Sequence, residues 1–444
     1  MRDFLLLVMI CASLPVCFFQ PFFGILMWTW IAYFNPHRFT FNYMYDFPVA
    51  AVVAVPTIAG LVFSRKFNRP FFVRENVLLV LLWIWFYIVY LNAKAEPFFA
   101  GHMADAHYEL VRVSKILLMT FIMMLIVTSE QRLRWLFLVT AFSFGALAIK
   151  GAIFGIATGG EYRVFGPPDT FLAENNAFGL ALNMSLPIFY FLGRVEKRTL
   201  LRRALNVCFG AALLCVILTY SRGGFLGLIA VLSYLAWRSK YRVMGAIFLA
   251  ASAFVVISFA PPQWLERMGT LRKEGVDMSA QQRLVSWGTT WNFAHDYPLM
   301  GGSFYTLPDV AVFQKYQTRP LPGGFLSSGP HSIYFQVLGE QGFIGFAIYF
   351  GIVISCLLTL WRLKRSTHDF PHLQWISVYA DIIFVSILGF LVSGAFLGFA
   401  DFDLYYQMVA SVCILKILFY RALAAQPVCE RSSEAALEPR EEFA

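Results

Sequence analysis

The chain has 444 residues, of which 59% are hydrophobic and 18% aromatic, while only 14% carry a charge. Soluble domains run near half apolar and a quarter charged, so this composition excludes a soluble globular enzyme and defines a polytopic membrane protein. The formal charge of +9 calls for no nucleic acid partner, because Lys and Arg of inner loops held near anionic membrane lipids account for most of it.

The N-terminal stretch MRDFLLLVMICASLPVC has a weak basic start and no small-x-small cleavage site, and apolar residues continue to Phe34, so it reads as retained. Pro15 and Gln20-Pro21 interrupt it, which predicts one broken crossing over residues 1–34; two full crossings are the alternative. Further apolar spans fall near 46–63, 76–92, 110–128, 133–157, 176–193, 205–220, 223–237, 242–260, 332–361, 374–398 and 404–423. Their Leu/Ile/Phe-dense runs lack strict alternation, which means helices. The expectation is about 12 transmembrane helices with both ends inside, or thirteen with Met1 outside.

Loops 65–74, 129–134, 193–203, 237–242 and 361–365 are all basic, and by the positive-inside rule they are cytoplasmic. Loops 35–43, 93–109, 158–175 and 261–330 then lie on the outer face. The chain divides into helices 1–9 over 1–260, a large outer loop with short interfacial helices over 261–331, helices 10–12 over 332–423, and a disordered cytoplasmic tail over 424–444. The seven cysteines form no CxxC pair and none falls in the large loop, which argues against a disulfide framework or a zinc site.

Polar candidates concentrate on the outer face. GGEYRVFGPPDTFLAENN (159–176) offers Arg163, Glu174 and Asn175, the last suited to capping the next helix. The turn TYSRGG fixes Arg222 at the membrane surface, where a phosphate-binding role competes with simple snorkelling. In the large loop, AQQRLVSWGTTWNFA spaces Arg283, Trp287 and Trp291 on one helical face, and tryptophan anchoring predicts a helix lying along the membrane. His331 follows Pro330 at the expected first turn of a helix. There it either caps the helix or, kept neutral by the helix terminus and nearby arginines, accepts a proton. Arginine suits a diphosphate because its planar fork bonds two oxygens and stays charged. Asp401 and Asp403 sit at a helix turn and read as caps. Lys150 and Asp381 are the deep ionisable residues.

GPHSIYFQVLGEQGFIG (329–345) resembles the H-[NS]-x-x-[LF]-x-x-x-x-E-x-G-x-x-G signature of the O-antigen ligase and polymerase superfamily. RLVSWGTTWNFAHDYPLMGGSF is similar to its R-x-x-x-W…P-L-x-G-x-G block, with Ser303 in place of the third glycine, and TYSRGG matches its S-R-[GA]-[GA] turn. FGPPDTFLAENNAFGLALNMSLP looks most like the branch of O-glycosylation ligases associated with exosortase systems. The resemblance implies an inverting, metal-independent glycosyltransferase of the bacterial inner membrane, without cofactor. It would move an undecaprenyl-diphosphate-linked glycan to an acceptor on the periplasmic face, most simply lipid A-core oligosaccharide. Arg222 and Arg283 would bind the diphosphate and His331 would act as general base, with Arg163, Asn175 and Glu340 in support. Glu340, nine residues after His331, should face the far side of the helix as a structural partner in the bundle. A protein O-oligosaccharyltransferase or a polysaccharide polymerase shares these motifs. A lipid-linked glycan flippase is the alternative of a different class, although transporters place ionisable residues near the midplane.

Overall fold

The computed structural model describes residues 1–64, 72–238, 278–367 and 370–424. The expected span at 242–260, the start of the large loop, parts of the basic loops at 65–74 and 237–242, and the C-terminal tail lie outside the described residues. Within them the chain is helical, with no strand. The helices are α1 (Arg2–Phe19), α2 (Pro21–Phe34), α3 (Val49–Ser64), α4 (Arg74–Ala95), α5 (Met103–Ile126), α6 (Glu130–Ala157) and α7 (Asn175–Val195). They continue with α8 (Thr199–Leu218), α9 (Arg222–Arg238), α10 (Met278–Asp296), α11 (Val310–Tyr316), α12 (Ile333–Ser366), α13 (Gln374–Gly394) and α14 (Asp403–Ala424). Among the described residues eight of these are long and apolar enough to cross a membrane, and the shorter α2 and α3 are apolar as well. The protein is therefore an all-α polytopic membrane protein.

One end of the bundle gathers the basic loops. Arg134 at the start of α6 pairs with Glu196 after α7, and Asp381 of α13 pairs with Lys364 and Arg238. Glu75 of α4 is fully buried there between Ser355, Thr359 and Lys416. Asp381 thus belongs to an ion-paired helix end, and Lys150 packs against the Phe39 ring at 4.3 Å, toward the opposite end.

The N-terminal 34 residues depart from the single broken crossing. Gln20 separates α1 from α2, with Pro21 at the first position of α2, where its missing N–H and fixed φ suit a helix start. The beginning of α1 lies beside the segment that follows α2: the Asp3 carboxylate accepts from the backbone N–H of Asn42 at 3.0 Å and of Met44 at 3.3 Å. The two helices are antiparallel passes of a hairpin. Arg2 therefore lies at the end opposite the basic loops, whereas the close of α14, beyond Lys416, lies among them.

A small second core stands on that opposite end. It is built from Ala93 and Phe99 together with Val285 and Phe293 of α10, Leu307, and Val312 and Phe313 of α11. Burying one phenylalanine contributes about 1.5–3 kcal/mol, so Phe293 and Phe313, both fully buried, fix α10 firmly over the bundle.

The loop and the bundle are joined at a break in α12. Gly342 leaves the helical region with φ 65° and ψ −175°, and the carbonyls before it lose their helical partners. The segment 298–303 supplies replacements: Gly302 N–H donates to Gly339 O at 3.1 Å and Ser303 N–H to Glu340 O at 2.9 Å, while Phe343 N–H donates to Pro298 O at 2.7 Å. A Cβ at Gly301 would stand 2.5 Å from Gly339 O, so only glycine allows this approach. Ser303 itself has φ 70° and a buried hydroxyl with no hydrogen-bond partner. A left-handed conformation costs a non-glycine residue about 1–2 kcal/mol. Ser303→Gly is therefore expected to raise the midpoint of thermal unfolding, by the equivalent of about 1 kcal/mol, in detergent-solubilised protein. A lower midpoint would mean that the hydroxyl is needed.

Candidate active site

Three segments, far apart in sequence, meet at the end opposite the basic loops. The first is the α8–α9 turn. Tyr220 takes φ 57°, and the Ser221 hydroxyl accepts from Gly224 N–H at 3.0 Å, starting α9 one residue before Arg222. Asn175 does not cap its own helix. Its buried amide donates to Thr219 O at 2.8 Å, and Asn176 Oδ1 accepts from the Ser221 hydroxyl at 2.7 Å. Two side chains of α7 thus hold the turn that aims Arg222.

The second segment is α10. The shared face of Arg283, Trp287 and Trp291 exists, and it is turned to α12. Trp287 donates its indole N–H to Pro330 O at 2.8 Å and stacks on Phe335 at 5.2 Å. That bond, one turn from Arg283 and one residue from His331, brings guanidinium and imidazole together. Through these contacts α10 is docked on the break-bearing helix.

The third segment is His331. It lies ahead of α12, with φ 45°, and Ser332 occupies the N-cap position. Burial and the Arg283 charge hold its imidazole below the usual histidine range, while the Glu174 carboxylate opposes them. Arg222 and Arg283 are also within electrostatic reach of each other. Two guanidiniums and one mainly neutral imidazole therefore share one end of the bundle.

His331 lines a cavity of about 340 Å³ whose lining includes neither Arg222 nor Arg283. The cavity extends toward α5 and the 397–402 segment. Glu340 lines the same cavity, contrary to the far-side expectation. Counting 100° per residue from His331 fails because the helix begins only at Ile333. The Glu340 carboxylate accepts from Tyr305 N–H at 3.2 Å and from the Gln336 amide at 3.4 Å. Gln336 also donates to Asp401 at 3.0 Å, so Asp401 is a wall residue of the cavity, and α14 starts after it, at Asp403. Burial pushes the Asp401 carboxyl up, opposed by Arg112 and by the Gln336 hydrogen bond.

Glu109, Arg112 and Glu174 complete the charged lining. Arg112 lay hidden in the apolar run 110–128, where an ionisable residue is itself a signal of function. Arg163 lies elsewhere, exposed beside Lys150 at a separate, smaller cavity. A larger groove of about 830 Å³ between α2, α6 and α8 is almost wholly apolar and carries none of these residues.

A membrane-embedded helical bundle thus carries two arginines and a histidine of lowered proton affinity at one end. Residues 207–350, which contain Arg222, Arg283, His331 and Glu340, match the family model described as O-Antigen ligase. Residues 1–196 match a family of unknown function. No curated protein matches the chain.

Proposed function

We propose that this protein is an inverting glycosyltransferase of the bacterial inner membrane, moving a glycan from undecaprenyl diphosphate to a hydroxyl acceptor on the periplasmic face. The observation that carries the proposal is the convergence of Arg222, Arg283 and His331 from three separate segments. The arginines hold the diphosphate and stabilise the charge that develops as it leaves. His331 removes the acceptor proton. The acceptor oxygen forms its bond to the anomeric carbon from the face opposite the diphosphate, and the sugar–phosphate C–O bond breaks with its electron pair going to the diphosphate.

Lipid A-core oligosaccharide is the acceptor the family match favours, and the exosortase-associated branch rests on FGPPDTFLAENNAFGLALNMSLP alone. The test is purified protein in nanodiscs with undecaprenyl-diphosphate-linked oligosaccharide and acceptor. Transfer should release free undecaprenyl diphosphate in equal amount. A flippase would move the lipid-linked glycan between leaflets and release none.

Arg222→Lys tests the fork. Lysine keeps the charge and loses bidentate geometry, so kcat/KM should fall about tenfold or more at equal protein yield. Near wild-type transfer by the lysine variant would leave Arg222 a surface anchor.

A further inference from the structure

The cavity beside His331 has a charge pattern opposite to that of the arginine side. Four carboxyl residues line it, Glu109, Glu174, Glu340 and Asp401, against the single arginine Arg112. That arginine is already engaged: Glu109 pairs with it directly, and the Phe171 ring lies 4.0 Å from its guanidinium. Glu340 and Asp401 are set side by side by one amide, Gln336, whose carbonyl is in turn fixed by Ala400 N–H at 3.0 Å. Each carboxylate keeps lone pairs beyond those bonds.

These residues also differ in origin from the arginines. The match to the O-antigen ligase family spans 207–350, whereas Glu109, Arg112, Phe171 and Glu174 precede it and Asp401 follows it. The half of the site suited to a diphosphate lies in the shared domain, and most of the charged wall facing the other half does not.

We propose that this cavity is the acceptor site, and that it takes an uncharged sugar residue of the acceptor while rejecting a phosphorylated one. The proposal rests on the transferase reading above. Vicinal sugar hydroxyls hydrogen-bond to the Glu340 and Asp401 carboxyl oxygens, Phe171 offers an apolar wall to the ring's C–H face, and a third hydroxyl lies toward His331. About 340 Å³ is room for one or two sugar rings and too little for a folded glycan chain. A phosphate on that sugar would meet four carboxyl residues against one arginine that Glu109 already pairs.

The experiment uses the full chain in nanodiscs with undecaprenyl-diphosphate-linked oligosaccharide as donor. Three acceptors are compared: a glycolipid ending in an uncharged hexose, the same glycolipid phosphorylated on that hexose, and a serine/threonine-rich peptide. Binding of each is also measured directly to His331→Ala protein, which retains the cavity. The uncharged glycolipid should bind at least tenfold more tightly than the phosphorylated one and be used preferentially. Asp401→Asn combined with Glu340→Gln should raise its KM about tenfold, narrow the discrimination, and leave donor affinity unchanged. Equal binding of both glycolipids, preferential use of the peptide, or an unaltered acceptor KM in the double variant would overturn the proposal. If no acceptor is glycosylated yet the uncharged glycolipid still binds selectively, the transferase reading fails and the sugar site stands.

Discussion

His331→Ala should abolish glycan transfer while leaving affinity for the undecaprenyl-diphosphate donor close to that of the unaltered protein. The imidazole lines the cavity, whereas the proposed diphosphate clamp is made by Arg222 and Arg283, so removing it should take away the proposed proton acceptor and spare the clamp. Loss of a positioned general base typically costs about 10² to 10⁴ in rate. The pH dependence gives a second readout. Burial and Arg283 lower the imidazole's affinity for protons, so the neutral form persists below the ordinary histidine range. The acid limb of kcat/KM, which reports the free protein, should therefore lie below about 6.5. Glu174→Gln removes the opposing carboxylate and should move that limb further down. Well-folded His331→Ala protein that still transfers at a near wild-type rate would remove the residue on which the mechanism turns.

Gly342→Ala should be as damaging, through folding rather than chemistry. The position combines φ 65° with ψ −175°, a region open essentially to glycine alone. An added Cβ would stand 2.4 Å from Leu299 O and 2.6 Å from Met300 N, both backbone atoms that cannot swing aside. Strain and displacement together should cost more than about 3 kcal/mol, with sharply reduced yield of folded protein and little transfer. Gly351→Ala, in the same helix with nothing within 4 Å of the added carbon, is the control and should be neutral or slightly stabilising. Equal thermal midpoints for the two variants would show that the break in α12 tolerates a side chain.

The sequence made some of this legible and hid the rest for identifiable reasons. Arg222, Arg283 and His331 stood in short motifs whose residue types match anion binding and proton transfer, and the structure brings them to one end. The helical face through Arg283, Trp287 and Trp291 was legible from spacing, but its partner was not, since a tryptophan stripe suits a lipid interface as well as a neighbouring helix. Glu340 was misplaced because periodicity holds only inside a continuous helix, and His331 lies before the helix begins. Asp401 was assigned to capping because FADFD gives no sign of the Gln336 amide, 65 residues earlier in the chain, that turns it into the cavity. The N-terminal hairpin was decided by Asp3, a short-range signal with partners at 41–44 that apolar run lengths cannot express.

The break at Gly342 has a mechanical side. Through it the loop assembly grips α12 by three peptide hydrogen bonds, and through the Trp287–Pro330 bond it also holds the strand of chain that presents His331. Arg283 and His331 consequently travel as a single unit. Arg222 is moored to the other unit, by Asn175 and Asn176 of α7. The spacing of Arg283 and His331 is thus set within the loop assembly, and that of Arg222 from either by how the assembly seats on the bundle.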